Sequence, residues 1–230
     1  MALPSPIGVP TGAESAPALT FTVEGAQAVR WAVVPTLRFA LRVDSGGAAI
    51  RSIMLNVQLR IAAAERGYDE SEQERLGELF GTPDRWSTTL KGLLWTHTTL
   101  VISPFQGETV VDLDVPCTYD FDVTASKYLA ALQDGEVPLE LLFSGTVFHR
   151  DAAGRLSVSR ISWDREAPYR MPVAVWRETM DFHFPGAAWL RLERETFDRL
   201  AAYKARHTLL SWETAIAALL DRAEHAEKET

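Results

Sequence analysis

A chain with one cysteine cannot close a disulfide on itself. Cys117 stands alone among 230 residues. That excludes a disulfide-stapled secreted scaffold and makes a reducing cytoplasm the expected compartment. A core of this size needs no such staple. Basic residues are also short. The 23 Lys and Arg against 31 Asp and Glu leave a net charge of −8. Such a surface repels phosphate backbones and anionic headgroups, so neither nucleic acid nor a membrane is an expected partner. No run of about 18 apolar residues exists to cross a bilayer. Residues 1–18, MALPSPIGVPTGAESAPA, lack both a basic leader and a continuous apolar stretch, so they do not read as a signal peptide. Their four prolines read as a flexible tail.

Motifs that carry chemistry are equally scarce. The five histidines, His97, His149, His183, His207 and His225, fall in no metal-ligand spacing. No glycine-rich phosphate loop occurs. Ser144 precedes Gly145 inside an apolar strand pattern, not on a strand-to-helix elbow. Gly145 there marks a bulge or a close backbone approach. Cys117 follows Pro116 without a basic neighbour to lower its pKa, so it reads as a structural thiol. No cofactor, metal or catalytic residue is assigned.

What the chain does have is alternation. In TLRFALRV, Leu37, Phe39, Leu41 and Val43 share one face, with Arg38 and Arg42 on the other. In IRSIMLNVQLRI, Ile53, Leu55, Val57, Leu59 and Ile61 alternate with polar residues. Period two over such lengths predicts half-buried strands, and the intervening DSGGAA predicts a hairpin turn between them. Further strands are predicted at 93–102, 107–115, 117–123 and through LELLFSGTVFHR. DAAGR then turns the chain into LSVSRISW. DREAPYR reads as a loop and MPVAVWRETMDFHF as an extended run. Residues 71–80 predict a helix capped by Ser71 with Glu74 closing a capping box. Residues 124–132 predict a short helix capped by Thr124. ERETFDRLAAYKARH and SWETAIAALLDRAEHAEKE both have helical spacing, the second with Ser211 as N-cap. The predicted organisation is a tail (1–18), an antiparallel β-domain with short helical insertions (19–192), and a helical pair packed on it (193–230). The fold class is α+β, mostly β: an antiparallel sandwich or a strongly curved sheet. Trp212, Leu219 and Leu220 must bury against the sheet or a partner.

The stretch VVDLDVPCTYDFDV sets Asp112, Asp114, Asp120 and Asp122 within eleven residues. Each pair is the polar phase of its strand, and straight i, i+2 pairs do not wrap a cation. A solvated or partner-facing acidic face is the expectation. Asp181 and His183 fall on the same face if DFHF is a strand, which would offer a metal-assisted hydrolase its acid–base pair alongside those aspartates. The seven tryptophans suggest either end-plugs of a sandwich or interface anchors. Trp189, with Arg191, Arg194 and Arg199 beside it, is the candidate docking joint.

PCTYDFDVTASKYLAALQDGEVPLELLFSGTVF and WDREAPYRMPVAVWRETMDFHFPGAAWLRLERETFDRLAAYKARHTLLSWETAIAALL resemble an uncharacterised family of bacterial proteins of about this length. Some members are encoded beside nickel–iron hydrogenase genes. The likeness spans about residues 19–222 and carries over no functional residue. It implies gene company and with it an accessory or assembly role for a hydrogenase. Together with the scarcity of chemical motifs, the expectation is a cytoplasmic, non-enzymatic accessory protein, with a hydrogenase subunit or maturation factor as the expected partner. In outline alone, an acidic β-body with trailing helices is also similar to the SecB export chaperone, which makes a holdase the further alternative.

Overall fold

The computed structural model describes residues 16–118, 123–151, 153–187 and 190–228. They form two compact units, residues 1–188 and 189–230. The first unit holds seven strands in one antiparallel hydrogen-bonded sheet, so the chain is mostly β with C-terminal helices.

The sheet is organised by β2 (Thr36–Ile61), 26 residues long. The predicted hairpin at DSGGAA does not form, and the two alternating runs are halves of this one strand. Its first half pairs with β1 (Thr20–Ala28) and β4 (Phe105–Pro116). Its second half pairs with β3 (Leu93–Ile102) and β5 (Glu136–Arg150). The ladder to β4 slips between Asp44 and Ala49. There Gly46 and Gly47 take φ values of 60° and 88°, and the Gly46 N–H donates to the Asp44 carboxylate at 2.8 Å. The turn chemistry was legible, but it serves a bulge that redirects the strand without reversing it. Because each half has its own pairing partners, the inward faces of the curved sheet meet. Phe21 stacks on Phe143 with centroids 4.2 Å apart, and Phe39 packs edge-on against Trp95 and Tyr169. Leu37, Phe39, Leu41, Val43, Ile53, Leu55, Leu59 and Ile61 are all fully buried. Each such side chain contributes about 1.5–3 kcal/mol relative to exposure.

β6 (Leu156–Arg160) and β7 (Glu166–Pro172) pair with opposite ends of β5. The predicted loop DREAPYR therefore lies largely in an edge strand, where Pro168 and Pro172 are tolerated. Gly145 is the predicted close approach. It adopts φ 144°, and a Cβ there would collide with the Met54 carbonyl oxygen.

Four helices complete this unit. α1 (Glu70–Phe80) is capped two residues before the predicted cap, because Asp69 is extended and its carboxylate accepts the Glu72 N–H at 2.8 Å. Ser71 instead accepts from the Gln133 amide. α2 (Trp86–Thr89) is a single turn. α3 (Thr124–Ala131) begins after Val123 without a side-chain cap, so Thr124 does not serve as one. α4 (Val173–His183) replaces most of the predicted extended run. Its composition is rich in β-formers, yet Val173, Trp176, Thr179 and Met180 recur at helical spacing and are buried together. Tertiary burial of that stripe overrides propensity. The predicted strand 117–123 is irregular at Cys117, Thr118 and Val123, and its residues 119–122 lie outside the described residues.

Helices α1 and α3 are joined by a buried polar network. Glu72, 2% exposed, accepts from Arg66 Nη2 at 2.9 and 3.0 Å and from the Gln133 backbone N–H at 2.9 Å. Tyr68 donates to the Ala63 carbonyl at 2.6 Å, which leaves its oxygen to accept from Tyr128 at 2.8 Å. Burial raises both phenol pKa values.

The second unit contains α5 (Arg194–Arg206) and α6 (Trp212–Lys228). Thr208, at φ 55°, turns the chain between them. Ser211 caps α6 as predicted, its hydroxyl accepting the Thr214 N–H at 3.0 Å. Among the described residues no helix is long and apolar enough to cross a membrane.

Candidate docking groove

The four aspartates that prompt a cation reading resolve into two cases. Asp112 and Asp114 project from the exposed face of β4, opposite Arg38 on β2. Arg38 Nη1 lies 2.9 Å from Asp112, and its Nε and Nη2 lie 2.6 and 2.8 Å from the two oxygens of Asp114. The guanidinium thus occupies the position between the carboxylates that a cation would take. Next to it, Arg42 bridges Glu24 and Glu108 in the same way. Asp120 and Asp122 lie outside the described residues. No group of three or more His, Cys, Asp or Glu is placed to hold a metal among the described residues.

Asp181 and His183 do not share a face. Two positions on a helix are separated by about 200°, and the helix places Asp181 in solvent. Each ring nitrogen of His183 is beside a backbone carbonyl: Nδ1 is 2.9 Å from Thr179 O and Nε2 is 3.2 Å from Ala32 O. The imidazole ties α4 to the loop before β2 and is not available as a base paired with Asp181. Cys117 is buried, which pushes its thiol up to about 12 and keeps it in the unreactive neutral form.

The arginine-rich joint leads somewhere different. Trp189 lies outside the described residues. Arg191 is exposed in the segment before α5. Arg194 opens α5 and sits 3.7 Å from Asp198, one turn on. Arg199 faces a groove of about 560 Å³ within the helical unit, and there the structure adds what the sequence reading did not assemble. Leu190 and Leu192 supply one end of the groove. Arg199, Leu200, Tyr203 and Arg206 line it from α5, and Ile216 and Leu219 from α6. The spacing 192, 196, 199, 200, 203, 206 is a helical stripe. It was readable as a periodicity, but Thr196, Arg199 and Arg206 interrupt Leu192, Leu200 and Tyr203 along it, so it does not stand out as one apolar face.

The helices meet through Phe197 and Trp212, whose rings are 5.1 Å apart, with Lys204 Nζ 5.4 Å from the Trp212 ring. Arg222 lies over Tyr203 at 5.5 Å. Only Ala215 is fully buried in this unit among the described residues. The side chains that helical periodicity marked for burial remain open: Trp212 is 42%, Leu219 40% and Leu220 58% exposed. Leu190 is 70% and Leu210 94% exposed. Leu190, Ile216 and Leu219 thus line the groove as exposed apolar side chains, with Arg199 and Arg206 beside them.

No curated protein matches the chain. Among solved structures it is similar to the CARDB domain of the PF1109 protein in complex with di-metal ions from Pyrococcus furiosus, at 14% identity, covering 67% of this chain and 91% of that one with a TM-score of 0.26. It is also similar to the beta-glucosidase of Kluyveromyces marxianus in complex with glucose, at 12% identity over 67% of this chain and 15% of that one, TM-score 0.24. Beta-glucosidase 3B of Thermotoga neapolitana matches at 9% identity over 67% of this chain and 17% of that one, TM-score 0.24. The chain thus spans only a small part of either glucosidase. A protein-family profile matches residues 16–228, nearly the whole sequence, and the chain accordingly belongs to that family, the family of unknown function DUF6084.

Proposed function

We propose that the chain is a non-enzymatic accessory module that binds another protein through its C-terminal helical pair. The observation that carries this reading is the groove between α5 and α6, with its uncovered Leu190, Ile216 and Leu219. Helical hairpins bury such stripes against neighbours, and a pair with one fully buried side chain gains little stability from its own contacts. The β-unit, by contrast, buries an extensive apolar core of its own. The partner class named by the sequence resemblance is a nickel–iron hydrogenase subunit or maturation factor, acting in the cytoplasm.

The test is affinity purification of the tagged full chain from its native host, in parallel with Leu219→Glu. Leu219 is 40% exposed, so the variant is expected to fold with an unchanged melting profile. One stoichiometric partner retained by the parent and lost by Leu219→Glu is the expected result. A hydrogenase component in that position would support the named partner class. Identical recovery with both chains would overturn the groove reading.

A further inference from the structure

We propose that the occupant of the groove is an amphipathic helix of the partner protein, one that presents two carboxylates about two turns apart to Arg199 and Arg206. This rests on the reading of the groove as a protein-docking site and specifies what docks there.

The argument begins with the two guanidinium groups. Among the described residues, Arg199 and Arg206 are the only charged ones lining the groove. Neither has a hydrogen-bond or ion-pair partner among the described residues. Three other basic side chains of the same unit are engaged, Arg194 with Asp198, Arg222 with the Tyr203 ring and Lys204 with the Trp212 ring, while Arg191 and Lys228, outside the groove lining, are not among the described residues' contacts. Glu195 stands one turn before Arg199, at a spacing that favours an ion pair, yet no pair forms. The groove therefore keeps two cations free at its edge while its floor is apolar.

Spacing fixes the geometry of the complement. Seven residues on a helix rise about 10.5 Å, close to two turns, so both arginines lie on one side of α5. A helix packed alongside offers side chains at the same interval from its own i and i+7 positions. The walls of the groove are helical ridges at i, i+3 and i+4 spacing, which a third helix fills by ridge-into-groove packing. Tyr203 lies between the arginines along α5, with its ring packed beside His207 and under Arg222.

Charge decides between occupants. Residues 190–206 carry five basic against three acidic residues, in a chain whose net charge is −8. The α5 side of the groove is thus locally basic, although the acidic residues of α6 leave the helical unit near neutral as a whole. Two copies of the chain bring their excess negative charge together, whereas an acidic-faced helix meets two arginines in this groove. A carboxylate at each arginine adds orientation and register, and apolar side chains between them supply the burial.

The experiment uses the full chain and a displayed library of 18-residue peptides. Leu is held at i, i+3, i+4 and i+7 positions, and the polar positions vary freely among Asp, Glu, Lys, Arg, Ser, Gln and Ala. Selection is run against the parent, against Leu219→Glu, and against the double variant Arg199→Glu/Arg206→Glu. The expected result is enrichment of Asp or Glu at two positions six to eight residues apart. These binders are expected to lose about tenfold or more in affinity on the double variant and to weaken with added salt, as rim charges do. The double variant should in turn select Lys or Arg at those positions. Binders that depend on Leu219 but show no charge preference would overturn the acidic helix while leaving the docking groove standing. No binder sensitive to Leu219→Glu would overturn both. A concentration-dependent dimer in light scattering, abolished by Leu219→Glu, would show a second copy in the groove and overturn the partner helix.

Discussion

Replacing Glu72 by Ala tests whether the junction of α1, α3 and β5 depends on its buried ion pair. The carboxylate receives Arg66 Nη2 at 2.9 and 3.0 Å and the Gln133 N–H at 2.9 Å. The Arg66 side chain is only 10% exposed, and its Nη1 is buried with no partner already. Removing the carboxylate leaves a desolvated guanidinium held by two carbonyls, Gly67 O at 3.1 Å and Asp134 O at 3.5 Å, and leaves the Gln133 amide without its acceptor. Breaking one side of a buried pair costs about 3–5 kcal/mol, and the residual solvent access of Arg66 places this case near the lower end. For a chain of this length that corresponds to a fall of about 6–12 °C in melting temperature. The double variant Arg66→Met/Glu72→Leu removes both charges and orphans only the amide, so it is expected to recover most of the loss. Urea unfolding followed by tryptophan fluorescence, on the parent, Arg66→Met, Glu72→Leu and the double variant, gives the coupling directly. A loss below about 1 kcal/mol for Glu72→Ala, or a double variant that costs the sum of the singles, would refute the account of this junction.

Three further outcomes follow from the fold. Burial raises the Cys117 thiol from 9.0 to about 12, so the folded state favours the proton. The resulting stability is present below about pH 9 and lost as pH rises toward 12, by roughly 4 kcal/mol at most from three pKa units. Tyr128 shifts in the same direction, and Cys117→Ala should remove only the cysteine's share of the alkaline slope in a pH series of urea melts. A slope unchanged by Cys117→Ala would count against a buried thiol. Gly145→Ala forces a side chain into the Met54 carbonyl at φ 144°, and should destabilise the sheet by about 2 kcal/mol or more. A melting temperature equal to the parent's would show that the strands separate there at little cost. Calorimetric titration with calcium should give no heat that Asp112→Asn/Asp114→Asn abolishes, since Arg38 already neutralises that pair. Heat lost in that variant would restore the cation site.

Much of the sheet was legible because alternation is enforced by burial on one face. Leu37 to Val43 and Ile53 to Ile61 are buried in the phase that the sequence shows. The aspartates of β4 are wet for the same reason. The helix caps Asp69 and Ser211 are local chemistry, and the second was readable in place. The candidate groove was legible only in fragments: Arg199 from its neighbourhood, Ile216 and Leu219 from helical spacing. Nothing in one dimension says that the two stripes face a common space, or that Arg199 and Arg206 go unpaired while Arg194 finds Asp198.

The sequence by itself determined the strand faces, most of the strand segments, the two C-terminal helices and the lack of disulfide chemistry, because period, side-chain polarity and cysteine count are local properties. Tertiary structure decided the rest. It made DSGGAA a bulge inside β2, since the two halves of that strand find different neighbours. It made Val173–His183 a helix, since Trp176 and Met180 are buried together at helical spacing. It drew Arg38 onto Asp112 and Asp114 across 74 and 76 residues of chain, closing one apparent site. It left Arg199 and Arg206 free beside an apolar floor, opening another. Which charges meet and which stay open depends on contacts between residues distant in sequence, and those exist only once the chain has folded.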